Sequence, residues 1–79
     1  ARIEKSALKT PPIFDILARE GNIPERDMFN TFNMGVGMCA VVAKEDADAA
    51  LAALSANGAA DAYVCGEIAE SNGGAVELC

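Results

Sequence analysis

Histidine and tryptophan are absent from this 79-residue chain, and tyrosine occurs only once. Without histidine, these residues alone supply neither a His-based nucleophile pair nor a His general base, and they do not favour a zinc site. The small number of aromatic rings argues against a large aromatic core and against a surface on which nucleic-acid bases stack.

Basic residues are also scarce. Six of them stand against twelve acidic residues, so the formal net charge is −6. The basic residues are scattered along the chain, whereas nucleic-acid modules cluster theirs, and no nucleic-acid partner is expected. The longest apolar run, residues 36–43, is too short to span a membrane, and no membrane partner is expected.

The three cysteines, Cys39, Cys65 and Cys79, are an odd number and include no Cys-x-x-Cys pair. This spacing does not predict a disulfide framework. We predict that Cys39 and Cys65 are buried as small apolar residues, in a reducing cytoplasm. The chain opens on Ala1 rather than Met and reads as a piece of a longer protein.

The apolar periodicities predict a layered α/β (α+β) fold in the order β-α-α-β-α-β-β. Strands are expected at residues 2–4, 33–43, 62–69 and 75–79. Helices are expected in "TPPIFDILAREG", "NIPERDMFNTF" and "KEDADAALAALSANG". The last two strands are predicted to pair as a hairpin through a turn at residues 71–74.

The stretch "TFNMGVGM" at residues 31–38 is the most informative part of the chain. Within a strand, Gly35 and Gly37 would point to one face and leave bare backbone there, beside Thr31 and Asn33. Exposed backbone N–H groups in that place suit a phosphate or an amide. The alternative is that the glycines allow close packing or a bulge. The acidic residues Glu45, Asp46 and Asp48 are better explained as a solvated helix start than as metal ligands.

Residues 11–38, "PPIFDILAREGNIPERDMFNTFNMGVGM", resemble the C-terminal portion of the phosphoribosylformylglycinamidine cyclo-ligase family, also called aminoimidazole ribonucleotide synthetases. The Pro-Pro helix, the Gly-Asn turn and the block Thr-Phe-Asn-x-Gly-x-Gly-Met carry the resemblance. It continues through "ALAALSANG" and "AYVCGEI" and more loosely into "GAVELC".

The resemblance implies ATP-dependent closure of the imidazole ring in purine biosynthesis, with formylglycinamidine ribonucleotide as substrate and Mg²⁺ assisting. It implies a cytoplasmic homodimer and an α/β/α C-terminal domain that is partly ferredoxin-like. Residues 1–79 would be the later part of that domain, and the nucleotide-binding N-terminal domain would lie outside them. On this basis Thr31, Asn33, Gly35 and Gly37 are candidates for the substrate cleft. No catalytic and no metal-binding residue is assigned, and residues 1–79 alone are expected to be inactive.

Other interpretations of the sequence remain open at this point. One is a fragment of a related ATP-dependent enzyme, such as selenophosphate synthetase, thiamine-monophosphate kinase, a hydrogenase maturation protein or formylglycinamidine ribonucleotide synthetase. A second is a non-catalytic regulatory module of ferredoxin-like type, and a third is a structural dimerisation piece.

Overall fold

A computed structural model describes residues 1–71 and 73–79. The helices and strands in these residues are β1 (Arg2–Ile3), α1 (Pro12–Glu20), α2 (Glu25–Thr31), α3 (Ala47–Ala56), β2 (Gly66–Glu67) and β3 (Glu77–Leu78). Single 3-10 turns at Lys5–Ala7 and Lys44–Asp46 precede α1 and α3. The mixed helix-and-strand class is confirmed, whereas the predicted element order is not.

The chain divides into two units, which are described separately. One unit is Leu8–Cys39 and contains α1 and α2. The other combines Ala1–Ala7 with Ala40–Cys79 and contains the sheet and α3.

Helix α1 begins at a proline and is followed by a Gly-Asn pair, both of which are local signals of helix ends. Pro12 occupies the first helical turn, where a missing N–H leaves no hydrogen bond unmade. At the other end, the N–H of Ile23 donates to the carbonyl of Ala18 at 2.9 Å. Asn22, with φ of 50°, rather than Gly21, takes the left-handed conformation that this helix ending requires.

The contact between α1 and α2 is aromatic. The rings of Phe14 on α1 and Phe32 at the end of α2 lie with centroids 5.9 Å apart and planes tilted by 57°, a geometry that aromatic pairs favour. Met28 on α2 is 2% exposed and is the one fully buried side chain in the described residues. Ile13, Ile16 and Leu17 fall on one face of α1 at helical spacing, but that face stays exposed to solvent.

Helix α3 has an apolar stripe of alanine and leucine side chains. Ala47, Ala50 and Leu51 are half-buried, whereas Leu54 is exposed. The helix ends at Ala56, and Gly58, two residues later, has a φ of 98° that lets the N–H of Ala59 donate to the carbonyl of Leu54 at 2.8 Å. Glycine suits this position because it has no side chain to disfavour the left-handed backbone conformation.

The sheet has the strand order β2-β1-β3, with β1 antiparallel to β2 and parallel to β3. The predicted hairpin between the last two strands is therefore wrong, because β1 lies between them. Arg2 stands opposite Glu67 on one side and Glu77 on the other, with N–O distances of 3.7 and 3.5 Å. Arg2 on the central strand therefore balances the negative charge of one glutamate on each edge strand. The two edge strands cannot balance each other, because both carry an acidic residue at this position.

The predicted strand at residues 33–43 is also wrong for this structure, which assigns none there. A strand needs a hydrogen-bonded neighbour, and the described residues supply none to this segment. Met38 and Val41 consequently remain 91% and 75% exposed. The predicted strand at residues 62–69 shortens to Gly66–Glu67 because only two of its residues pair with β1.

The structure also bears on two smaller predictions, the burial of two cysteines and the turn at residues 71–74. Cys39 is exposed and Cys65 only half-buried, so the expected burial of both is wrong, and Cys39 is exposed because the predicted strand around it does not form. Of the turn expected at residues 71–74, Asn72 lies outside the described residues. Ser71 Oγ donates to the carbonyl of Gly74 at 2.6 Å and accepts from its N–H at 3.1 Å.

We predict that Gly66→Ala separates β2 from β1. A Cβ at Gly66 would overlap the backbone carbonyl of Arg2, and a clash with backbone cannot be relieved by a rotamer change. The free energy of unfolding of the full-length protein should fall by roughly 2 kcal/mol or more in urea denaturation. Gly74→Ala is the matched control, because its Cβ would lie 3.7 Å from Ser71 Oγ, an ordinary contact. Equal stability of the two variants would contradict the prediction.

We also predict that residues 1–79, when isolated, self-associate through exposed apolar surface. Ile13 and Ile16 are 52% and 44% exposed on α1. Sedimentation velocity should show mass rising with concentration, and Ile13→Glu/Ile16→Glu should weaken that rise. Arg19→Glu changes the net charge by the same amount at an exposed position of the same helix and should not. A monomer at every concentration would contradict the prediction.

Candidate functional site

The candidate segment, residues 31–38, begins where α2 ends. Thr31 is the last helical residue and is exposed. The N–H of Phe32 closes the helix by donating to the carbonyl of Met28 at 2.9 Å, and the Phe32 ring packs on Phe14. The chain therefore leaves α2 from an anchored residue.

Residues 33–36 form a tight turn. The N–H of Val36 donates to the main-chain carbonyl of Asn33 at 2.9 Å, and the N–H of Gly35 donates to the Asn33 side-chain oxygen Oδ1 at 2.8 Å. Both central residues have positive φ, 54° at Met34 and 93° at Gly35. Two positive φ values mark a turn of type I′, which favours Asn and Gly at its centre.

The two glycines have different environments, contrary to the shared strand face that the sequence predicted. Gly35 lies against Pro11 and Lys9, such that an added Cβ would come within 2.5 Å of Pro11 Cδ and 3.1 Å of the Lys9 carbonyl. Gly37 has nothing within 4 Å of that position. Gly35 is thus required by the turn and by close packing, whereas Gly37 leaves bare backbone at the surface.

The polar groups of this segment are neutral. Thr31, Asn33 and Gly37 are exposed, and residues 28–43 contain no charged residue. A hydroxyl, an amide and backbone N–H groups can bind and orient a polar ligand, but they include no group that would exchange a proton near neutral pH. In the described part of the chain, no three side chains of the metal-ligating types come together.

The turn contains two features that the sequence analysis missed, the left-handed Met34 and the contact of Gly35 with Pro11. Asn-x-Gly, in which an Asn side chain accepts from the N–H two residues later, is the local signal that would have indicated a turn here. The contact with Pro11 has no local signal, because more than twenty residues separate it from Gly35.

The unit that holds the sheet contains a shallow cavity of about 340 Å³. Its walls include Arg2, Glu4, Val64, Cys65 and Glu67. The pKa of Arg2 is raised, first by a hydrogen bond with Cys79 and then by the negative charge at Cys79, Glu77 and Glu67. Arg2 is the one basic residue among those that line the cavity, and it faces the carboxylates of Glu67 and Glu77 at 3.7 and 3.5 Å.

Comparison with known proteins assigns the chain to a family. Residues 1–79 match the family described as AIR synthase related protein, C-terminal domain, and the chain belongs to it. A phosphoribosylformylglycinamidine cyclo-ligase of Thermoanaerobacter sp. (strain X514) is 49% identical over 76 residues, 96% of this chain and 22% of that protein. The enzymes of that name from Lachnoclostridium phytofermentans and Staphylococcus aureus (strain JH9) are 45% and 41% identical over 100% and 99% of this chain.

These comparisons confirm the family resemblance that the block Thr-Phe-Asn-x-Gly-x-Gly-Met indicated. The chain spans about 22% of the length of the curated relatives it matches. No solved structure matches it significantly. Among the described residues, no helix has the length and apolarity that crossing a membrane requires.

We predict that Gly35→Ala and Gly37→Ala have unequal effects on stability. Alanine at position 35 would have to adopt φ near 93° and would meet Pro11, and this should lower the free energy of unfolding of the full-length protein by about 2 kcal/mol. Alanine at position 37 meets open space and should change it by less than about 0.5 kcal/mol. Chemical denaturation of both variants tests this, and a larger loss at position 37 would refute it.

Proposed function

We propose that the protein carrying this chain is a phosphoribosylformylglycinamidine cyclo-ligase, and that residues 1–79 are the later part of its C-terminal domain. The observation that carries the proposal is the identity of 41–49% to enzymes of that name over almost the whole chain. The nucleotide-binding domain, which would hold ATP and Mg²⁺, belongs to the part of the protein outside these residues.

In this proposal ATP transfers its γ-phosphoryl group to the formyl amide oxygen of formylglycinamidine ribonucleotide. The amidine nitrogen then attacks the activated carbon, the carbon–oxygen bond breaks, and phosphate leaves as the imidazole ring closes. Such chemistry depends mainly on positioning and on stabilising charge on the phosphoryl group. A neutral segment that binds and orients the substrate is compatible with such chemistry.

Within the enzyme, we place residues 31–38 at the border of the substrate cleft. Thr31, Asn33, Gly35 and Gly37 are the residues concerned. Three properties support this placement. The polar side chains of Thr31 and Asn33 are exposed, and the backbone at Gly37 is bare. The turn at residues 33–36 is held by two hydrogen bonds. The enzyme is further proposed to be a cytoplasmic homodimer.

The proposal predicts that the full-length protein releases ADP from ATP and Mg²⁺ only when formylglycinamidine ribonucleotide is present. Residues 1–79 alone should release none, because they would lack the nucleotide-binding domain. Coupled detection of ADP, with and without the ribonucleotide, measures both. ADP release that ignores the ribonucleotide would indicate a related ATP-dependent enzyme instead, and ring closure by the isolated chain would contradict the assignment of residues 1–79.

A further inference from the structure

Asn33 makes two of the hydrogen bonds that define the turn at residues 33–36. Its side-chain oxygen accepts from the N–H of Gly35 at 2.8 Å, and its main-chain carbonyl accepts from the N–H of Val36 at 2.9 Å. The side-chain oxygen is therefore already engaged within the protein. What the Asn33 side chain still offers to a ligand is chiefly its amide N–H groups.

The turn depends on that side-chain oxygen because its own sequence is unfavourable. Met34 has φ of 54°, a conformation that residues other than Gly, Asn and Asp avoid. The favoured residues at the centre of a type I′ turn are Asn-Gly, and this chain has Met-Gly. The hydrogen bond to Gly35 offsets part of the strain at Met34.

The turn also determines where the following backbone lies. Gly35 is held against Pro11 and the Lys9 carbonyl, and the chain leaves the turn through Val36 into Gly37. Within residues 1–71 and 73–79, the N–H groups of Gly37 and Met38 donate to no main-chain carbonyl. They are consequently available to a ligand, in a place that the turn sets.

We propose that Asn33 is a positioning residue of the cyclo-ligase: its side-chain oxygen holds the strained Met34–Gly35 turn and thereby places the backbone N–H groups of Gly37 and Met38 for the substrate. This inference rests on the proposed function. It assigns the contact with substrate to the backbone that follows the turn and not to the Asn33 amide.

The test separates the side-chain oxygen from the amide N–H groups in the full-length protein. Asn33→Ala removes both, whereas Asn33→Asp and the uncharged Asn33→Ser each keep an oxygen that can accept from the N–H of Gly35. Adding Met34→Asn to Asn33→Ala creates the favoured Asn-Gly turn without restoring any group at position 33. Met34→Asn alone is the control for the lost methionine side chain.

We expect Asn33→Ala to lower kcat/KM for formylglycinamidine ribonucleotide about tenfold, as the loss of one hydrogen bond would, mainly through KM. Asn33→Ser and Asn33→Asp should stay within about threefold of the wild type. The double variant should return to within about twofold of Met34→Asn. If Ala, Ser and Asp are equally impaired and Met34→Asn rescues nothing, the Asn33 amide contacts the substrate and the positioning role is wrong, although the cyclo-ligase assignment stands. Unchanged kinetics in Asn33→Ala would also overturn the positioning role.

Hydrogen exchange measured by mass spectrometry on the peptide of residues 31–38 provides a readout independent of activity. Asn33→Ala should speed exchange in this peptide, and Met34→Asn should slow it again in the double variant. Should the wild type release no ADP in response to the ribonucleotide, the proposed function fails, and exchange still decides whether Asn33 holds the turn. Exchange that is unchanged by Asn33→Ala would overturn the positioning role whatever the kinetics show.

Discussion

The constraint on which this structure depends is the shortage of buried partners for its apolar side chains. Met28 is the one fully buried side chain among residues 1–71 and 73–79, although 52% of the sequence is apolar. Burial of apolar area normally provides the main drive for folding. Here order comes instead from local hydrogen bonds at helix ends and turns, from one aromatic pair and from a short sheet. Each of these involves only a few residues, so each can form without a large core.

The same shortage explains why some apolar side chains are packed whereas others remain exposed. The rings of Phe14 and Phe32 pack against each other, because α1 and α2 are joined by a short loop. Ile13 and Val41, by contrast, remain 52% and 75% exposed. In a protein of the relatives' length, most of the chain lies outside these residues, and it would offer far more surface against which such side chains could pack. Within the sheet, charge supplements burial, because Arg2 joins two acidic edge strands through exposed ion pairs. Exposed pairs of this kind contribute little free energy, so their main effect is to favour one register.

The segment of functional interest combines rigidity with neutral chemistry. The turn at residues 33–36 is closed by two hydrogen bonds and packed against Pro11, and it is followed at once by bare backbone at Gly37. Such an arrangement is suited to orienting a polar ligand, whereas acid–base chemistry would need groups that this segment does not contain. This is consistent with an enzyme in which charge and metal ions come from another domain, and in which the proposed role of these residues is to place the substrate.

The sequence by itself determined the helices, their ends and the family. Proline at the start of α1, the Gly-Asn pair after it and Asn-Gly after α3 act over four or five residues, so they can be interpreted without any knowledge of the fold. The block Thr-Phe-Asn-x-Gly-x-Gly-Met was specific enough to indicate the family before any comparison. Tertiary structure decided the strand order, the loss of the strand predicted at residues 33–43, and the different environments of Gly35 and Gly37. The physical reason is that a strand exists only when a distant segment supplies its hydrogen bonds, and a glycine's role depends on which backbone approaches it. The approach of Pro11 to Gly35 and the position of β1 between β2 and β3 are contacts between residues far apart in the chain, which no local pattern encodes.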